Sequence, residues 1–264
     1  LSGVGLAMLL TACGGSGSSS ADAAKTLSIT GTTSTGAALA GATLDARCAN
    51  GTTGSATSAA DGTYTVQISG GTLPCMLRAT GTDAKGDPIT LHSIADVGTT
   101  TTNVTPLTEW ILTAATSASG TTPNDAFATF ASSTTQSSLG KDKLTYAKKM
   151  VASAAEAVAT EGGQSVTLAT VDPLNDSFKV GSDNDKIIDA LVIALKKNAP
   201  TAKISEVIAS LSSGVATAAK ANPTSESDAS SAVTALAATV VSKPFAIANC
   251  PAAQNVRYRI VGVG

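Results

Sequence analysis

"NVTPLTEWILTAA", Asn103 to Ala115, is the stretch on which the fold turns. Thr105 is a residue type that caps a helix through its side-chain oxygen. Pro106 suits the first helical position, where no N–H is needed, and Glu109 falls in the first turn. From there "PLTEWILTAA" reads as helix. Trp110, the single tryptophan, sits beside Leu107 and Ile111 and is expected to anchor one part of the chain on another rather than to serve as a ligand platform.

Upstream of this junction the pattern has period two. Leu27 and Ile29 alternate with polar neighbours, and Ala42, Leu44, Ala46 and Cys48 share one face. Tyr64, Val66 and Ile68 form a second row, Cys75, Leu77 and Ala79 a third, and Ile89 and Leu91 a last one. Between them lie "TSTG", "NGTTG", "ADGT", "SGGT" and "AKGDP", built from the residues that turns require. Short strands at this spacing predict a small antiparallel β-sandwich over residues 26–104.

Downstream the period lengthens, and helices are expected at about 124–133, 139–161, 183–197, 203–220 and 227–241. Ile187, Ile188, Leu191, Ile193, Ala194 and Leu195 should make a broad apolar face, and Ile204, Val207, Ile208 and Leu211 a narrower one. The fold class expected is therefore α+β: an N-terminal sandwich followed by an α-helical bundle over 105–245. Residues 246–264 then read as the start of a further β element, because Tyr258 and Ile260 alternate with Arg257 and Arg259.

Composition narrows the function classes. Of 264 residues only 14% are charged and 3% aromatic, so serine and threonine must carry most of the solubility. A net charge of −2 gives no reason to expect nucleic acid, which needs a concentrated basic surface. No apolar run reaches the length of about 20 residues that spans a bilayer. The start at Leu1 without a basic segment and the unpaired Cys250 read as a fragment cut at both ends, with the partner of Cys250 beyond Gly264.

Residues 1–12 form a short apolar stretch that ends in Leu10-Thr11-Ala12-Cys13, and Gly and Ser follow at once. The four residues resemble the lipobox of bacterial lipoproteins. That resemblance implies cleavage of a signal over 1–12 and lipidation of Cys13. Several acyl chains hold a protein on a membrane where one leaks off, at about 0.8 kcal/mol per buried CH₂. Residues 13–25 then serve as the lipidated cysteine and a tether reaching about 20 Å. Gly14 after the cysteine resembles the outer-membrane sorting pattern.

The run from Gly36 to Ile68, with Gly41-Ala42 entering a strand and Asp61-Gly62-Thr63-Tyr64 turning into the next, resembles carboxypeptidase-regulatory-like domains. This family implies a transthyretin-like sandwich acting as a spacer or binding accessory, with no catalytic centre. The approach "NVTPLTEWI" is similar to the junction at which bacterial lipoproteins of this kind pass into a helical region. Cys48 and Cys75 both fall on inward rows, and in an exported chain they are expected to pair. The closed loop would contribute about 3.5 kcal/mol in the chain-entropy model.

Several constellations test for chemistry. Ser138-Leu139-Gly140-Lys141 matches S-x-x-K and Ser182-Asp183-Asn184 matches S-D-N, two of the three signatures of penicillin-binding enzymes, but no K-T-G follows. Helix capping accounts for both: Ser182 with Asp185 reads as a capping box, and Ser138 as the opening of a lysine-bearing helix. His92, the single histidine, reads as structural. Asp172, Asp176, Asp183, Asp185 and Asp189 lack EF-hand spacing, with Asp183 and Asp185 suited to the first turn of a helix. Lys141, Lys143, Lys148 and Lys149 read as a solvated face. No catalytic residue, metal ligand or cofactor is therefore assigned.

The expected function is a non-catalytic, membrane-anchored lipoprotein of the bacterial envelope, placed at the outer membrane, with an envelope protein or glycan as partner and no nucleic acid. The competing readings are a surface adhesin or carbohydrate-binding module working through the sandwich loops, and a serine-type envelope hydrolase using Ser138 and Lys141.

Overall fold

The structure is a computed structural model that describes residues 25–221, apart from 162, 169, 198 and 199. The expected signal, Cys13, the tether before Lys25, the helix at 227–241, Cys250 and the closing β element lie outside the described residues. Among the described residues the chain is an α+β mix of six strands and six helices.

The strands are β1 (Thr26–Thr32), β2 (Thr43–Cys48), β3 (Thr53–Thr57), β4 (Thr63–Ser69), β5 (Cys75–Thr82) and β6 (Pro88–Ala95). They form two antiparallel sheets, one of β1 and β4 and one in the order β3-β2-β5-β6. Alternation decides which side faces in: along β4 the exposed Thr63, Thr65, Gln67 and Ser69 interleave with buried Tyr64, Val66 and Ile68. Those three meet Ile29, Leu44, Cys48, Leu77 and Leu91 in one apolar core shared by both sheets. The predicted inward rows are buried, except that Leu27 at the start of β1 is only partly so.

β3 has no counterpart in the expected strands, because "TGSAT" carries almost no apolar period. It lies hard against β4: a Cβ on Gly54 would come within 2.7 Å of the Gln67 carbonyl oxygen, so only glycine fits this approach. The far edge of β1 is covered too. Residues 100–104 run parallel to it, with Thr30 N–H donating to the Thr100 carbonyl, Thr102 N–H to that of Thr30 and Val104 N–H to that of Thr32. The edge of β1 that could template pairing with another chain is thereby occupied.

The helices are α1 (Pro106–Ser117), α2 (Pro123–Ala128), α3 (Ser133–Ser138), α4 (Lys141–Glu161), α5 (Asp183–Lys196) and α6 (Ile204–Ala221). α1 starts where the sequence places it: the Thr105 hydroxyl accepts from Thr108 N–H, Thr108 returns the bond, and Pro106 stands in the first turn. The expected helix at 124–133 stops at Ala128, and a second short helix, α3, follows only from Ser133. Hydroxyls break it: Thr129 closes α2 with its hydroxyl donating to the Asp125 carbonyl, and the Ser132 hydroxyl accepts from Thr135 N–H to open α3. Ser138 therefore ends a helix rather than opening one, and α4 begins at Lys141.

On α5 the expected apolar face is narrower than predicted. Ile188, Leu191 and Ala194 are buried, whereas Ile193 points outward and is 55% exposed. A second apolar core gathers Trp110, Ile111, Phe127, Phe130, Met150, Val158, Leu191 and Leu211. It also includes Met76 and Ile94 from the outer face of β5 and β6, so the helices pack directly on the four-stranded sheet. α6 serves both cores, with Val207 and Leu211 in the helical one and Ile208 in the one between the sheets.

Candidate functional site

Cys48 and Cys75 stand opposite one another in the β2–β5 register and are joined by a disulfide, both fully buried. The link closes the strand pair at the end where the outer face of the sheet meets α2. Just beyond it, Gln136 of α3 donates to the carbonyls of Ala49 and Phe130.

The outer face of the four-stranded sheet is a grid set by register. One row runs Ser55, Asp45, Arg78 and His92 across β3, β2, β5 and β6. The Ser55 hydroxyl donates to Asp45, and Arg78 pairs with Asp45 at 2.9 Å. Phe127 of α2 descends on this row. The Arg78 and Arg47 guanidinium carbons lie 4.6 and 5.2 Å from its ring centroid, and the His92 ring is 6.2 Å away. Arg47 also donates to the Ala128 carbonyl at the end of α2.

His92 is only 3% exposed, and the first turn of α1 grips it. Glu109 Oε2 accepts from the His92 backbone N–H at 2.6 Å and pairs with ring Nδ1 at 2.9 Å, while the Thr108 hydroxyl donates to the His92 carbonyl. The other ring nitrogen, Nε2, is buried and has no hydrogen-bond partner among the described residues. Glu109 thus stands in the first turn as the sequence indicates, but its carboxylate is committed to the sheet. Trp110 is buried beside it and donates from Nε1 to the Ile208 carbonyl, tying α1 to α6.

The next row of the grid is uncovered. Thr57 stands opposite Thr43, Thr43 opposite Thr80 and Thr80 opposite Thr90, so four threonines align across four strands, all exposed. Nothing in a single strand's pattern signals this row, because it exists only through register.

The serine motifs fall at helix ends. Ser138 donates its hydroxyl to the Thr135 carbonyl and Lys141 opens α4 at the surface. Ser182 occupies the N-cap position of α5, yet it makes no side-chain cap bond. The expected capping box is replaced by a longer reach: Asp185 accepts from Gly181 N–H at 2.7 Å and from the Ser34 hydroxyl at 3.1 Å, docking α5 on the turn after β1. Asp189, one turn on, lies against Gly36 in that same turn. Burial, and then the charge of Asp185, push its carboxyl above the ordinary carboxylate value.

Asp172 and Asp176 organise the long connection between α4 and α5. Asp172 accepts from Lys148 at 2.7 Å and from Asn175, and Asp176 accepts from Asp172 N–H. Lys148 is therefore half-buried and paired, in departure from the expected solvated lysine face. Buried Asn103 straps this connection down, accepting from Thr32 N–H and donating to the carbonyls of Pro173 and Asp176. A cavity of about 10 Å³ beside it has room for about one water. Among the described residues no three His, Cys, Asp or Glu side chains stand together as metal ligands, and no helix is long and apolar enough to cross a membrane.

No family model, curated protein or solved structure matches this chain.

Proposed function

We propose that this chain is a non-catalytic lipoprotein of the bacterial cell envelope, held on the membrane by acyl chains on Cys13 and sorted to the outer membrane. In this reading the two sheets are a sandwich, related to carboxypeptidase-regulatory-like domains, that is followed by a helical bundle. The sandwich presents the helices to a partner in the envelope, either a protein or a glycan. The observation that carries the reading is the Cys48–Cys75 disulfide, because such bonds persist in oxidising compartments outside the cytoplasm and are rare within it. The apolar stretch ending in Leu10-Thr11-Ala12-Cys13 supplies a route there.

The test is the mass of the N-terminal peptide from protein purified out of a lipoprotein-processing bacterium. Diacylglycerol and an amide-linked acyl chain on Cys13 are expected, together with partition into the detergent phase. Cys13→Ser should abolish both. A free thiol at Cys13 in the wild-type chain would overturn the proposal.

A second reading, binding of a neutral glycan, has one observation in its favour: the aligned row of Thr57, Thr43, Thr80 and Thr90. Neighbouring strands lie about 4.8 Å apart, so the row offers hydroxyls at a regular repeat, and β-branching holds each side chain in few rotamers. Sheet twist turns the row as it crosses the strands, which suits one flexible chain better than a crystal face. This differs from the competing reading of a surface adhesin that works through the sandwich loops. Titration with β-linked glucose and N-acetylglucosamine oligomers should give affinity that climbs with length and falls in Thr43→Val and Thr80→Val. Equal binding by these variants would remove the reading.

A further inference from the structure

We draw no further inference here: the strongest candidate outside the surfaces already described, the Asp185–Asp189 carboxylate pair on α5 against the Ser34–Gly36 turn, is an acidic cluster beside which nothing in the structure points to a bound cation.

Discussion

One oxygen of Glu109 accepts from both the main chain and the ring of His92, so that the first turn of α1 is fastened to the middle of β6. Because α1 contributes most of its residues to buried positions, this contact sets where the whole helical layer sits on the sheet. Glu109→Ala should therefore cost about 2–4 kcal/mol, since it leaves a buried N–H and a buried imidazole without their charged acceptor. Glu109→Gln keeps one acceptor oxygen and should lose about half as much. Chemical denaturation of the three proteins checks the order; equal midpoints would show that the clamp carries no stability.

Gly31 is fixed by steric contact. A Cβ there would come within 1.8 Å of the Thr102 carbonyl oxygen, which itself accepts from the buried Tyr64 hydroxyl. Gly31→Ala should destabilise by about 3 kcal/mol or more, because main chain on both sides must move. At Gly140 the nearest atom to a new Cβ is 3.5 Å away, and Gly140→Ala should change stability by less than about 0.5 kcal/mol. Thermal unfolding of the two variants side by side makes the comparison.

Replacing both Cys48 and Cys75 by Ala should lower stability by about 3.5 kcal/mol, from the entropy that the unfolded chain regains when the 27-residue separation is no longer closed. The wild-type protein should unfold earlier in denaturant when a strong reductant is present, and the double variant should not respond to reductant. A reductant-insensitive wild type would contradict the pairing.

Two carboxyls give opposite pH signatures. Asp189 has its folded value raised by burial and by Asp185, so its contribution to stability is present in acid and is lost as pH rises through that folded value. Asp189→Asn should remove this loss and stabilise the protein at neutral pH. The exposed Asp61 is held below its ordinary value by hydrogen bonds from the Thr63 hydroxyl and backbone N–H. Its contribution is present above the unfolded value and lost as pH falls. In denaturant titrations run across pH, Asp61→Asn should lose this small neutral-side contribution and so flatten the fall in stability on the acid side.

The parts of this fold that could be read from the sequence are those written in a single segment's period. The rows on β2 and β4 alternate cleanly, and Thr105-Pro106 names the start of α1 to the residue. Cys48 and Cys75 were legible as a pair because both lie on inward rows. β3 was not, since threonine, serine and glycine make a strand only when β2 is already present to pair with. The break between α2 and α3 arises from hydroxyl groups competing for the main chain, which apolar period does not register. The His92–Glu109 clamp and the threonine row depend on register between distant segments, and neither residue type nor spacing announces them. On α5, period alone marked Ile193 as inward, although the helix's core-facing arc is already filled by Ile188, Leu191 and Ala194.

β1 follows the segment that leads towards Cys13, and it is bonded along both sides, to β4 on one and to residues 100–104 on the other. Tension applied along β1 from its N-terminal end would therefore meet bonds lying across the line of pull, which must slide together instead of opening one after another. A chain fixed at that end would resist being dragged apart where the load enters, and would yield first somewhere else.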